Sequence, residues 1–385
     1  MRLTRPSLAS LALPLALAAL TACASPAGDA RAVGEHEPVV QQLITLLDDR
    51  PDLRDTLTQA IETAAVQDID SLDAFYAYVD EVVTAIPIHR QTVPRALALH
   101  FIVGQASGDA LNQDEAFTGW MHEVARVWGE FLDTPASAAG IETFASDPEF
   151  SVDDYAAGPS GWLTFNQFFA REIKPGKRPV ADPDDDRVIV SPADSVLIGA
   201  FPIGENAAVT VKGVEWRIAQ LLDGSPYADE FANGIYAHSF LATSDYHRYH
   251  VPVGGVVREV RNVHGRVFLD VIRNDDGTLS TQKGDTFQFN QERGLVVIDS
   301  PEAGLVALVP VGMSLISSVN LTPEVGAELR KGDELGYFAF GGSDIVMLFQ
   351  DRNVVLDAEV GTKYLQGQRI GHVTGRGVGS RPPAR

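Results

Sequence analysis

The chain has 385 residues, 45% of them hydrophobic and 21% charged, an ordinary globular composition that excludes wholesale disorder and suffices for two cores. Its 52 acidic against 30 basic residues give a formal net charge of −22. Such a surface repels nucleic acid, which is excluded as a partner, and gains nothing from anionic lipid headgroups.

Arg2 and Arg5 precede an apolar run, Leu11 to Leu20, too short to span a bilayer comfortably. Leu20-Thr21-Ala22-Cys23 follows, and small residues before a cysteine resemble the lipobox of bacterial lipoproteins. Cys23 is the only cysteine, so it cannot close an internal disulfide. The expectation is a lipoprotein signal peptide over residues 1–22 and lipidation at Cys23. The exported chain is then held on the periplasmic or extracellular side of a membrane by its acyl chains. The alternative is an ordinary secretory signal cut near Thr21-Ala22-Cys23-Ala24, which also exports the chain. Residues 23–36 read as a tether, with little to bury.

Residues 37–147 carry helical periodicity. Val39, Val40, Leu43, Leu46 and Leu47 recur at three- and four-residue spacings, as do Leu72, Phe75, Tyr76, Val79, Val82 and Val83. Phe117, Trp120, Met121, Val124, Val127, Trp128, Phe131 and Leu132 make one broad apolar stripe, read as core rather than as a ligand platform. Breakers at Asp49-Arg50-Pro51, Ile86-Pro87 and Gly108-Asp109 divide the region into four to six helices.

Near Pro148 the texture changes. One short helix is expected over Leu163 to Glu172 and another over Val214 to Asp223. The rest reads as short β-branched strands: Val188–Val190, Val196–Ile198, Val209–Val211, Val253–Val260, Arg266–Leu269, Leu295–Ile298 and Leu305–Val311. Asn274-Asp275-Asp276-Gly277 signals a hairpin turn. With few helices between strands, the sheets should be mainly antiparallel. The predicted fold class is therefore α+β: a helical N-terminal domain, then a β-rich catalytic domain over residues 160–375, then a tail over 376–385.

Four clusters in the second half could carry chemistry: Ser191-Pro192-Ala193-Asp194, Asp245-Tyr246-His247-Arg248-Tyr249-His250, Lys331 to Phe338, and Phe340-Gly341-Gly342-Ser343. Each alone has a structural explanation. Asp194 after a proline can close a turn, a single histidine is usually satisfied within the fold, and the glycines can form a bulge. His247 and His250 are three apart, but no carboxylate or third histidine completes a metal motif, so no metal is expected. Ile345 stands where a Gly-x-Ser-x-Gly elbow needs glycine, which argues against an α/β-hydrolase nucleophile. Together, Asp194, His250 and Ser343 could form a triad in space. Asp194 would orient His250, and His250 would take the Ser343 proton while the glycines expose the Gly342 carbonyl.

The segments Asn166-Gln167-Phe168-Phe169-Ala170-Arg171-Glu172-Ile173-Lys174-Pro175-Gly176-Lys177-Arg178-Pro179, Val211-Lys212-Gly213 through Leu221-Leu222, Asp245 to Gly255, Lys331-Gly332-Asp333-Glu334-Leu335-Gly336 leading to Gly341-Gly342-Ser343, and Gln366 to Gly371 resemble successive motifs of the phosphatidylserine decarboxylase family. The resemblance covers roughly residues 160–375. Trp128-Gly129-Glu130-Phe131-Leu132-Asp133-Thr134-Pro135-Ala136-Ser137 is similar to an N-terminal extension in a subgroup that includes the fungal tryptophan decarboxylases.

The resemblance implies self-cleavage between Gly342 and Ser343, with Asp194 and His250 at the positions that assist. Ser343 becomes a covalent pyruvoyl cofactor that serves as the electron sink for decarboxylation, and His247 stands where the family is proposed to handle the proton. The implied substrate is the serine headgroup of a phospholipid, with a free L-amino acid, aromatic or otherwise, as the alternative. A non-catalytic lipoprotein and a serine hydrolase are lesser alternatives, and a homo-oligomer is left open. Two departures stand out: Asp344, where the family usually has Thr or Ser, and Ser195, where Gly is common. A carboxylate beside the processing serine could slow processing or repel an anionic substrate.

Overall fold

The computed structural model describes residues 36–211, 213–281, 289–312, 318–340, 343–350 and 353–375. Cys23, the signal and tether ahead of residue 36, Gly342 and the 376–385 tail lie outside the described residues.

Helices fill the first third: α1 (Pro38–Asp49), α2 (Pro51–Ala64), α3 (Leu72–Val83), α4 (Thr92–Val103), α5 (Glu115–Leu132) and α6 (Ile141–Ala145). The expected breaker at Pro51 is the first residue of α2, where a missing N–H costs nothing. The Ser71 side chain caps α3, and Asp114 caps α5 by accepting from Ala116 and Phe117 N–H, both at 3.0 Å. The α5 stripe buries Phe117, Trp120, Met121, Val124, Trp128 and Leu132. Two short helices follow: α7 (Phe165–Phe169), capped by Thr164, and α8 (Ile218–Leu222).

Beyond residue 150 the chain is mostly strand. Eight strands form one sheet in the order 328–329, 255–263, 293–300, 304–312, 343–349, 235–241, 195–202 and 363–364, every neighbouring pair antiparallel. Strand Ser343–Phe349 is interior to this sheet and wholly buried. Side chains alternate along it: Ile345, Met347 and Phe349 enter one apolar cluster, Val346 and Leu348 the cluster on the other face. Asn274–Gly277 turns the hairpin between 271–273 and 279–281, with Gly277 at φ 84°.

Three expected elements differ: the helix expected over Leu163 to Glu172 spans only Phe165–Phe169, with Glu172 in a strand paired with Ala156. Val214–Arg217 is a strand paired with Ala208–Val211, and helix begins only at Ile218. Trp216 there stacks on Phe289 at 4.8 Å, a contact local periodicity does not reveal. Arg266–Leu269 forms no strand beyond an Arg266–Gln291 bridge. Its apolar side chains instead pack on helices: Phe268 meets His100 edge-on, and Leu269 clusters with Leu97. The core of the helical third does not stop at α6. It takes in Phe165, Phe168, Phe169, Val267 and Phe340 from the later chain.

Candidate active site

Strand pairing places Ser343 opposite Gly312 on one side and Leu241 on the other. Leu241 ends its strand, and residues 242–247 leave from that point, so the His247 loop and Ser343 share one end of the sheet. The loop is pinned by Asp245, whose carboxylate accepts from Ala242 N–H at 2.8 Å and pairs with Lys363. Phe338 N–H donates to the His247 carbonyl at 2.9 Å, tying the loop to the strand that leads toward Ser343.

Ser343 is 1% exposed, and its Oγ has no hydrogen-bond partner among the described residues. His247 is fully buried against the Phe169 ring, centroids 3.9 Å apart. Its Nδ1 lies 2.9 Å from the Asp245 carbonyl. A carbonyl only accepts, so Nδ1 carries the proton and Nε2 holds a lone pair, which is also without a partner among the described residues. Burial, reinforced by the Arg171 charge, pushes the His247 pKa well below its ordinary value, against the pull of the Asp245 carbonyl. Buried polar atoms are rarely left unsatisfied, and two such atoms of complementary type at one sheet end mark a reactive corner.

Arg171, two residues past the end of α7, organises this corner. It is 1% exposed, lies over the Tyr155 ring at 4.1 Å, and donates to the carbonyls of Ser244 and Asp245 at 2.8 and 3.1 Å. The Asp245 carbonyl thus receives both Arg171 and His247.

The expected Asp194–His250–Ser343 chain is not assembled. Asp194 is held in a fork by Arg178, Nε at 2.9 Å and Nη2 at 2.6 Å, and accepts from Gln366 N–H at 2.8 Å. A guanidinium matches two carboxylate oxygens at once, so Arg178 takes the place foreseen for His250. His250 donates from Nδ1 to the Gly332 carbonyl at 2.9 Å, and its Nε2 accepts from the Tyr246 hydroxyl at 3.0 Å. Gly332 presents that carbonyl at φ +88°, where a side chain would strain. Burial lowers the His250 pKa, and Asp194 reaches it only through space.

Asp344 is also placed differently from the expectation. Alternation turns it to the sheet face opposite Ser343, where it pairs with buried His238 one strand over. Lys331 is structural: its ammonium donates to the carbonyls of Asp182, Asp185 and Val188.

Arg178, Arg171, Tyr246 and Phe169 were not singled out from sequence. All four lie inside motifs quoted above, which was the available signal. α5 and residues Tyr337 and Ala339 border a cavity of about 640 Å³ with Asn166 in its wall.

A family model described as phosphatidylserine decarboxylase matches residues 165–372, and a second one for the same enzyme matches residues 37–149. The chain is 35% identical over 251 residues to phosphatidylserine decarboxylase proenzyme 3 of Schizosaccharomyces pombe, covering 63% of this chain and 25% of that protein. It is 31% identical over 234 residues to proenzyme 2 of Oryza sativa, covering 60% and 37%. With the proenzyme of Chlamydia trachomatis it shares 30% identity over 241 residues, covering 63% of this chain and 77% of the relative. The chain therefore spans between a quarter and three-quarters of the length of these relatives.

Proposed function

The chain belongs to the phosphatidylserine decarboxylase family, and on that premise we propose that it is a proenzyme that cuts itself between Gly342 and Ser343 and decarboxylates an amine-bearing substrate. The observation that carries the reading is the buried, unpartnered Ser343 Oγ beside the His247 loop, on a strand interior to the sheet.

Ser343 Oγ attacks the Gly342 carbonyl carbon, its proton passes to the amide nitrogen, and an ester replaces the peptide bond. Loss of the Ser343 α-proton then expels the Gly342 carboxylate and leaves dehydroalanine. Water adds, ammonia leaves, and residue 343 is a pyruvoyl group. The surroundings fit that group. Its carbonyl would stand at the start of a strand hydrogen-bonded on both sides, at the sheet end that also holds the buried His247 Nε2, unpartnered among the described residues. The pyruvoyl ketone supplies an electron sink for the pair released with carbon dioxide. His247 Nε2, neutral because it is buried, can take a proton from the incoming amine and return it to the substrate carbon. Asp194 and Arg178 hold the Gln366 segment, part of the new smaller fragment, against the larger one.

For the substrate, family membership supports the serine headgroup of phosphatidylserine. Export and a lipid anchor on Cys23 would bring the enzyme to a bilayer. A free amino acid is the second reading, and it would be supported if the α5 cavity, which Ser343 and His247 do not line, admits the substrate. Glu123, Glu130, Asp133 and Glu292 outnumber Arg126 there, a lining that suits an ammonium group better than a phosphodiester.

Carbon dioxide release from phosphatidylserine vesicles and from free L-amino acids, before and after sodium borohydride, tests both points. Borohydride reduces a ketone and should abolish the activity. Release that survives borohydride would overturn the pyruvoyl reading, and the active substrate decides between lipid and free amino acid.

A further inference from the structure

Phe340 stands three residues before Ser343, and its surroundings come from α5 and α6 of the N-terminal helices and from α7, which packs on them. Its ring meets four aromatic rings edge-on: Phe165 at 4.8 Å, Phe169 at 5.1 Å, Trp128 of α5 at 5.7 Å and Phe144 of α6 at 6.4 Å. Its backbone N–H donates to Asn166 Oδ1 at 3.3 Å. The same Asn166 amide donates from Nδ2 to the Gly129 carbonyl of α5 at 3.1 Å. One side chain thus joins the longest N-terminal helix to the backbone that leads into the cleavage site. Phe169 has a second contact as well, the 3.9 Å stack on His247.

We propose that the helical N-terminal region is a positioning device for self-cleavage, with Asn166 and Trp128 as positioning residues that hold Phe340 so that the following glycines reach Ser343. The inference rests on the self-cleavage reading. An intramolecular attack needs its two atoms held close, and two glycines are the most permissive tether a chain can have. Whatever fixes the last anchored residue before them sets how often the Gly342 carbonyl meets the Ser343 hydroxyl. Phe340 is that anchor, and it is gripped by a hydrogen bond and an aromatic box rather than by strand pairing: its paired strand ends at Phe338. The helices would then license cleavage only once they are folded, so a chain whose N-terminal third is not yet packed stays uncut.

The test follows intact masses over time in full-length chain made by cell-free synthesis, with each cleavage rate expressed per folded chain. Asn166→Ala should slow cleavage by about ten- to a hundredfold. Asn166→Asp, which keeps the oxygen that accepts from Phe340, should recover part of the rate. Trp120→Phe, in the same helix but outside the box, loses its own buried hydrogen bond to the Val39 carbonyl and should cleave at the wild-type rate per folded chain. Hydroxylamine cuts esters and not amides, so it should release no extra 343–385 fragment from Asn166→Ala. Asn166→Ala cleaving at the wild-type rate, Trp120→Phe slowing equally, or hydroxylamine restoring cleavage would each overturn the proposal. A wild-type chain that never cleaves would instead overturn the self-cleavage reading itself.

Discussion

The helical third and the Ser343 end of the sheet differ in how many of their prominent buried polar groups are paired. Among the helices, Tyr78 hydroxyl donates to the Arg95 carbonyl and accepts from Leu99 N–H, and Trp120 and Trp128 donate to the carbonyls of Val39 and Ala85. At the sheet end, Ser343 Oγ, His247 Nε2, Arg171 Nε and one Asp344 oxygen are buried without partners among the described residues. Each unsatisfied group costs about 1–3 kcal/mol, so evolution tolerates such a cluster only where the groups have other work. The contrast separates a region built for stability from one built for reaction, although one aromatic core runs through both.

The largest effect expected from a substitution that leaves the fold intact is at His247. His247→Gln should lower decarboxylation by about 10²–10⁴-fold with an unchanged thermal midpoint, measured as carbon dioxide release by the processed enzyme. A variant as active as the parent would remove His247 from the reacting groups and blur the contrast. Asp194→Ala comes next. It strands the buried Arg178 and should cost about 3–5 kcal/mol in urea denaturation. If Asp194 instead acted as the orienter of His250, activity would fall while stability held.

Acid should act through buried histidines in both regions. His247 and His250 are held below their ordinary value chiefly by burial, and His100 in α4 is pushed down to about 3 by burial. All three are neutral in the fold and take up protons in the unfolded chain below about pH 6.5. Stability is therefore full above that pH and falls as pH drops through the window beneath it, until each histidine's own lowered folded value is reached. Denaturation midpoints measured from pH 8 to 5 check this, and a flat profile would contradict it. The smallest effect belongs to the helices. Ser71→Ala removes the α3 cap and should cost about 1 kcal/mol with no change in cleavage.

Much of the fold was legible because it is local. The α1, α3 and α5 stripes, the strand at Val188–Val190 and the Asn274–Gly277 turn all follow from spacing and turn chemistry. Arg266–Leu269 was misread because an apolar β-branched run looks the same whether it pairs with a strand or fills a groove on helices. At the site, Asp194, His247, His250 and Ser343 stood out as residue types within ordered motifs. Their partners did not, because Arg178 and Tyr246 are chosen over other candidates only by distance in the folded chain. The placement of Asp344 was open to a strand argument: adjacent residues face opposite ways, so a carboxylate next to Ser343 in sequence need not be next to it in space.

Intact mass under denaturing conditions, for the parent chain and Ser343→Ala side by side, tests the central claim most directly. The account predicts two fragments for the parent, the smaller fitting residues 343–385 with a pyruvoyl group at its blocked N-terminus, and one uncut chain for Ser343→Ala. A parent protein that remains a single chain of the same form as the variant would contradict it.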